Sequence, residues 1–132
     1  MRNILLFVCV VWAIYSQAQR VQSSNYNTLY YISSEGTIQN SSYQTVGYIK
    51  DGRIQDSSYK TIGYIQDGRI QDASYRTVGY VDKEGRAQDS SYKTLGYIDS
   101  SGRVQDNSYR TLGYASGISR EWIAVVFFFF QM

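Results

Sequence analysis

A unit of 16 or 17 residues recurs along this chain, and this repetition constrains the fold more than any other feature. The five full units cover residues 30–112 and are, in order, Tyr30–Val46, Gly47–Ile62, Gly63–Val78, Gly79–Leu95 and Gly96–Leu112. Half-units flank them at residues 21–29 and 113–115, as the ends of a closed ring would require. A unit this short cannot bury its apolar residues alone, so each is expected to complete its core against its neighbours.

Each unit carries the local signals of two short strands joined by turns. The run Lys60–Ile65 is rich in β-branched and aromatic residues, Asp67-Gly68 interrupts it, and Arg69–Gln71 resumes it. Asp-Gly between such runs is a strong hairpin signal, because glycine accepts the positive φ of a tight turn. We therefore predict an all-β fold of tandem, hairpin-like, two-stranded repeats, arranged radially or closed. Its structural turn glycines are Gly52, Gly68, Gly85 and Gly102.

The units differ in length at one place, which is the turn within the hairpin. That turn reads KDGR or QDGR in the 16-residue units, but DKEGR at Asp82–Arg86 and DSSGR at Asp99–Arg103 in the longer ones. Strands cannot change length without moving side chains to the opposite face, whereas exposed loops can. The turn is therefore predicted to be an exposed hairpin tip.

Composition excludes several classes of chemistry. Histidine and proline are absent from the 132 residues, and the only cysteine is Cys9. No Cys/His metal site and no Ser/His or Cys/His nucleophile pair can be built from this inventory, so we predict no cofactor and no enzymatic activity. The net charge of +2 is spread along the repeats, which argues against a nucleic-acid partner and against a polybasic membrane-binding segment.

The first 18 residues have the pattern of a secretory signal peptide. Arg2 precedes an apolar run from Ile4 to Ile14, and Ser16-Gln17-Ala18 places small residues before a cleavage point. We predict cleavage after Ala18, one β-repeat domain over residues 19–132 without cysteine, and export to the periplasm or beyond the cell. Lipidation at Cys9 is the alternative, although the cysteine lies inside the apolar run.

The C-terminal segment departs from the repeat. Residues 122–130 read WIAVVFFFF, nine apolar residues that are too few for a transmembrane helix. A buried closing strand and a short core helix are both consistent with this length. An exposed run of this kind would invite aggregation, so we expect burial or a partner, and no transmembrane span in the mature chain.

Two sets of charged residues suggest ligand chemistry, and each also has a structural explanation. We call such a set, whose members occupy the same position in successive units, a file. Asp56, Asp72, Asp89 and Asp106 could form a calcium ladder, or each could cap its own turn. Asp82 and Asp99 do not occupy the turn position of Asp51 and Asp67. The arginine file could pair with the aspartates or bind an anionic ligand, and its members are Arg53, Arg69, Arg86 and Arg103.

Fourteen tyrosines form the most unusual feature of the composition. Most fall in two files, one within the Gly-Tyr strand and one in the Ser-Tyr or Asn-Tyr turn. Tyrosine has a flat apolar face and a polar tip, which suits both sheet packing and the binding of sugars or peptides. The candidate ligand-surface residues are Tyr59, Tyr75, Tyr92 and Tyr109, and their exposure would distinguish a binding surface from core packing.

The repeated pattern GY(I/V), GR(I/V)QD and SY(K/R)T, the leader and the terminal aromatic run together resemble the β-flower domain proteins of the four-fold type. The resemblance spans roughly residues 20–130 and implies small bacterial, often exported proteins whose two-stranded units are arranged like petals. RHS/YD repeats and choline-binding repeats share part of the pattern, but the former have longer units and the latter carry paired Trp and aromatic residues. The resemblance implies a fold and no known activity.

Three functional hypotheses follow from these observations. The first is an exported structural or protein-interaction module at the cell envelope, in which self-association is possible. The second is a glycan-binding module that uses a tyrosine-lined surface. The third, an enzyme, would need two close carboxylates or a tyrosine pair in a cleft, which a regular ring of repeats does not obviously provide.

Overall fold

The computed structural model describes residues 18–132 as twelve short strands followed by a short helical segment. The predicted signal peptide, residues 1–18, lies almost wholly outside the described residues. The strands are β1 (Gln19–Ser23), β2 (Thr28–Ile32), β3 (Thr37–Asn40), β4 (Thr45–Lys50), β5 (Arg53–Asp56), β6 (Thr61–Gln66), β7 (Arg69–Asp72), β8 (Thr77–Val81), β9 (Arg86–Asp89), β10 (Thr94–Ile98), β11 (Arg103–Asp106) and β12 (Thr111–Tyr114). Helix α1 (Arg120–Ala124) leads into a π-helical turn, Val125–Phe129.

The strands form one closed antiparallel barrel in which chain neighbours are also sheet neighbours. The five repeat units supply β2 to β11, two strands each. The chain ends supply the sixth pair, because β1 pairs with β12 through Gln22 opposite Tyr114 and Ser23 opposite Gly113. The two half-units of the sequence therefore close the ring, and the closed all-β prediction is confirmed.

Strand alternation fixes which side chains face the interior. The file Ile38, Ile54, Ile70, Ala87 and Val104 is fully buried, and Ile49, Val81 and Ile98 of the other apolar file are nearly so. The repeated glycine of each unit lies on this inner face, and the tyrosine after it lies on the outer face. The wall thus has an aliphatic inside and a tyrosine-rich outside.

The C-terminal segment fills the barrel, so the predicted closing element is a short helix and not a strand. At the rim of the hairpin tips, the Glu121 carboxylate accepts a hydrogen bond from the Gly68 backbone N–H at 2.9 Å. There Arg120 donates to the Lys83 carbonyl at 2.7 Å. Ile123 to Val126 are buried, and the Phe130 N–H reaches back five residues to the Val125 carbonyl at 2.8 Å. Within residues 18–132, no helix combines the length and apolarity that crossing a membrane requires.

Each of the five strand glycines faces one side chain of the C-terminal segment. Phe127 to Phe129 lie in the π-helical turn, where consecutive side chains point in successive directions, and Phe130 follows in an extended conformation, so each ring meets a different repeat. A methyl group placed on Gly63 would lie 2.6 Å from the Phe130 ring and 2.7 Å from the Gln71 carbonyl. The other contacts follow in ring order and pair Gly113 with Phe127, Gly96 with Phe128, Gly79 with Phe129, and Gly47 with Met132.

The first unit fills its own position in this ring. Tyr30 replaces the glycine of the other units, and its hydroxyl donates to the Met132 carbonyl at 3.3 Å. Six inward positions around the barrel are thus occupied by four phenylalanines, one methionine and one tyrosine. Only glycine leaves room for a ring against the strand, which explains why the Gly-Tyr pair recurs.

Candidate ligand-binding surface

The outer wall carries six stacked tyrosine pairs, which we call the tyrosine girdle. Each pair joins a strand tyrosine to a turn tyrosine, with ring centroids 4.4–4.8 Å apart and ring planes within 12° of parallel. The pairs are Tyr31–Tyr43, Tyr48–Tyr59, Tyr64–Tyr75, Tyr80–Tyr92, Tyr97–Tyr109 and Tyr114–Tyr26. The turn tyrosines are 63–65% exposed, so one face of each stack is open to solvent.

The turn tyrosines have an unusual backbone conformation. All six have φ between 64° and 67°, in the left-handed region that bulky residues avoid. The turn is held by aspartate, because the Asp56 carboxylate accepts the N–H groups of Ser58 and Lys60 at 2.8 and 3.0 Å. The Tyr59 N–H bonds the Asp56 carbonyl at 3.1 Å. Asp72, Asp89 and Asp106 act in the same way, so the aspartate file caps turns.

The tyrosine turns lie at one end of the barrel and the hairpin tips at the other. The longer hairpin tips contain the same turn with glycine in the tyrosine position. In Asp99–Arg103, the carboxylate accepts from the N–H groups of Ser101 and Arg103, and the Gly102 N–H bonds the Asp99 carbonyl at 3.1 Å. Gly102 has φ of 91° and occupies the place that Tyr109 takes in its own turn. This chain therefore builds the turn with glycine at one rim and with tyrosine at the other.

Open grooves run beside the tyrosine pairs. One of about 520 Å³ is bordered by Tyr64, Tyr75, Gln71 and Arg69. The groove at Tyr48 and Tyr59 measures about 340 Å³, and the one at the Tyr26–Tyr114 seam about 490 Å³. In each, a glutamine amide from the adjacent strand, such as Gln71, donates to the turn tyrosine carbonyl. A flat phenol ring and a glutamine amide thus recur together around the wall.

A family model described as 5-fold beta-flower protein matches residues 18–131. The chain belongs to the 5-fold beta-flower family. No curated protein and no solved structure matches it. The β-flower resemblance is thereby confirmed, but its four-fold type is not. This beta-flower chain has five contiguous units, and its two ends build the sixth pair of strands.

The matching family model describes a beta-flower repeat fold, which is a structural domain. Among the described residues, no three side chains of the kinds that ligate metals come together. Asp67, Asp82 and Glu121 border one open groove beside helix α1, but they are not close enough together to hold a metal ion. Glu121 binds the Gly68 N–H, and Asp82 caps its turn and pairs with Arg86, so two of these carboxylates make structural contacts.

The turn glycines named from sequence divide into two classes in this beta-flower. Gly52 and Gly68 form two-residue turns with positive φ at both central positions, Asp51 and Gly52 in one and Asp67 and Gly68 in the other. Gly85 and Gly102 close the longer turns, in which Asp82 and Asp99 stand first and cap the loop. Sequence reasoning located the candidate tyrosines Tyr59, Tyr75, Tyr92 and Tyr109 but not their stacking partners in the strands.

Stacking also couples the acid–base behaviour of the phenols. Hydroxyl–hydroxyl hydrogen bonds of 3.2–3.3 Å join three pairs. Interaction with the partner hydroxyl, a hydrogen bond in those three pairs, raises the pKa of one phenol in every pair above the ordinary 10.0, and in the first pair it lowers the pKa of Tyr31. The phenol with the raised pKa is Tyr43 in the first pair and the strand tyrosine in the other five. The folded state therefore holds protons that the unfolded chain releases near pH 10.

We expect stability to fall in alkaline solution for this reason. A raised folded-state pKa gives stabilisation that is complete below pH 10 and is lost as the pH rises through the higher folded value. The denaturation midpoint should hold up to about pH 9 and decline above pH 10. Phenolate absorbance should show a late-titrating group that Tyr75→Phe diminishes by releasing Tyr64. Native tyrosines that all titrate together, as in denaturant, would contradict this.

Proposed function

We propose that this protein binds a glycan through the tyrosine girdle. The observation that supports this most strongly is the placement of six exposed tyrosines in a left-handed turn position where glycine would suffice. The coarser role, a structural repeat module of the beta-flower family, already follows from the fold. The girdle adds a repeated aromatic surface to that module.

The left-handed backbone of the turn tyrosines has an energetic cost that glycine would avoid. A left-handed conformation costs a side-chain-bearing residue about 1–2 kcal/mol, which glycine does not incur. An aromatic stack contributes about 0.5–1.5 kcal/mol beyond the apolar area that it buries, so stacking on the strand tyrosine is of the same order as the strain. Residues held in strained backbone conformations cluster at functional sites. The exposed outer face of each turn tyrosine is the feature that glycine could not supply.

The groove chemistry suits a sugar ring. The apolar face of a pyranose can lie on the open face of Tyr59 or Tyr75, while hydroxyl and amide groups at the edge supply hydrogen bonds. Six pairs around one barrel offer repeated sites for a polymer with repeated units. Once one sugar of the polymer is bound, the neighbouring sugars are at high effective concentration near the next tyrosine pairs. Several weak contacts can therefore give a high overall avidity.

The test is a glycan array probed with the purified protein and with a Tyr59→Gly/Tyr75→Gly/Tyr92→Gly variant. Glycine removes the rings while relieving the strained φ, so the variant should remain folded. We expect saturable glycan binding by the natural chain and a loss of at least about tenfold in affinity, or about 1.4 kcal/mol, in the variant.

The matched control is Ser57→Ala/Ser90→Ala, which changes exposed residues of the same turns and should leave binding intact. An unchanged glycan affinity in the folded tyrosine variant would overturn the proposal. A blank array would do the same and would direct attention to a protein partner at the hairpin-tip rim.

A further inference from the structure

The arginine file lies between successive tyrosine pairs. Arg53 stands opposite Tyr64 in the strand register, and Arg69 stands opposite Tyr80. Arg86, Arg103 and Arg20 repeat this placement opposite Tyr97, Tyr114 and Tyr31, whereas Thr37 stands opposite Tyr48. Cations and aromatic pairs therefore alternate around most of the outer wall.

Turn length decides whether these guanidinium groups are neutralised. In the longer turns, the aspartate that caps the loop also pairs with the arginine four residues on, as Asp82 does with Arg86 at 3.3 Å and Asp99 with Arg103 at 3.5 Å. In the shorter turns, Asp51 and Asp67 occupy a central positive-φ position instead. Within residues 18–132, Arg53 and Arg69 then form no ion pair.

The sequence left open whether the arginine file pairs with aspartates or binds an anionic ligand, and Arg86 and Arg103 take the first alternative. The turn-capping Asp72 and Asp106 pair instead with Arg76 and Arg110, four residues further on. Arg53 and Arg69 thus keep their charges available on the exposed wall.

One tyrosine pair lies between two unpaired repeat arginines. Tyr64 and Tyr75 have Arg53 on the strand before them and Arg69 on the strand after. Elsewhere in the described ring, each pair has a neutralised arginine, a threonine or the β1 residue Arg20 on at least one side. The groove at Tyr64 is also bordered by Asp51, whose carboxylate reduces the local positive potential without pairing with either arginine.

We propose that the groove at Tyr64 and Tyr75 is an anionic subsite and that the glycan is acidic, with carboxylate groups on its sugar rings. This inference rests on the proposed function and narrows the class of ligand. A guanidinium binds a carboxylate through two parallel hydrogen bonds, while the ring beside it packs on the sugar face. Both arginines are exposed, and exposed ion pairs contribute little binding energy. The arginines therefore determine which glycan is preferred, while stacking on the tyrosines supplies most of the affinity.

The test compares two probes that differ only at the carboxyl group, which is ionised in oligogalacturonate and neutral in its methyl ester, by isothermal titration at low salt. The natural chain should prefer the acidic oligomer about fivefold, as two exposed ion pairs allow. The preference should shrink as sodium chloride is added. Arg53→Gln/Arg69→Gln should abolish the preference while retaining ester binding, and Asp51→Asn should increase it.

The matched control is Arg86→Gln/Arg103→Gln, which removes the same charge from arginines that are already paired and should keep the preference. An equal loss in both double variants would show that net charge alone is responsible and would overturn the subsite. Equal binding of the two probes would overturn the anionic subsite but would still support glycan binding through the tyrosine girdle. Binding of neither probe counts against both proposals.

Discussion

Truncation of the chain after Val126 is expected to abolish cooperative folding. Phe127 to Phe130 and Met132 occupy five of the six inward positions, and the rings are half-buried against strand glycines. Removal of a half-buried phenylalanine costs about 2 kcal/mol, and four such losses approach the whole stability of a small domain, about 5–15 kcal/mol. The glycines cannot fill the space, so the barrel would be left hollow at the end that bears the tyrosine turns.

Guanidinium denaturation followed by circular dichroism measures this effect, and a dye that binds exposed apolar surface checks for a collapsed state. Gln131→Ala, which changes an exposed residue of the same segment, should unfold like the natural chain. A truncated protein with an unchanged midpoint would show that the aromatic run does not support the barrel.

Gly63→Ala is expected to destabilise the barrel by about 2–3 kcal/mol, the upper part of the range for overpacking. The added methyl group would lie 2.6 Å from the Phe130 ring and 2.7 Å from the Gln71 carbonyl, and neither can retreat easily. Gly47→Ala is the matched variant, since its methyl group meets the Met132 sulfur at 2.7 Å and the Gln55 carbonyl at 2.8 Å. The flexible thioether can move aside, so we expect a cost about 1 kcal/mol smaller.

Chemical denaturation of both variants, together with Phe130→Ala and its combination with Gly63→Ala, forms a double-mutant cycle. Removing the ring should relieve part of the strain, so the two changes should be less harmful together than their sum. Additive effects, or equal costs at Gly63 and Gly47, would mean that the inner ring of contacts does not determine the effect.

Much of the fold could be predicted because it depends on local and periodic signals. Asp67-Gly68 predicts its turn through the φ that glycine permits, and alternation places Ile70 and Tyr64 on opposite faces. Ring closure also follows, since residues 21–29 and 113–115 are complementary halves of one unit.

The course of the C-terminal segment could not be predicted. Nine consecutive apolar residues have no period that separates strand from helix, and the match between Phe130 and Gly63 exists only once the barrel is closed. The stacking of Tyr75 on Tyr64 was missed for a related reason, because it depends on a left-handed turn that sequence assigns to glycine. Which arginines pair could not be predicted either, because pairing is decided by the position of aspartate within a turn, as Asp82 and Asp67 illustrate.

The ring of glycines around the aromatic run has a consequence for how such a protein could change in size. Tandem repeats are readily duplicated or lost as whole units, and the sheet alone would accept one hairpin more or less. The C-terminal segment presents one side chain to each strand glycine, and Tyr30 occupies the remaining position. The number of side chains in this segment therefore sets the number of hairpins that the barrel can contain. A seventh hairpin would leave one glycine without a facing side chain unless the aromatic run gained a residue at the same time. The number of repeats and the length of the aromatic run can therefore change only together.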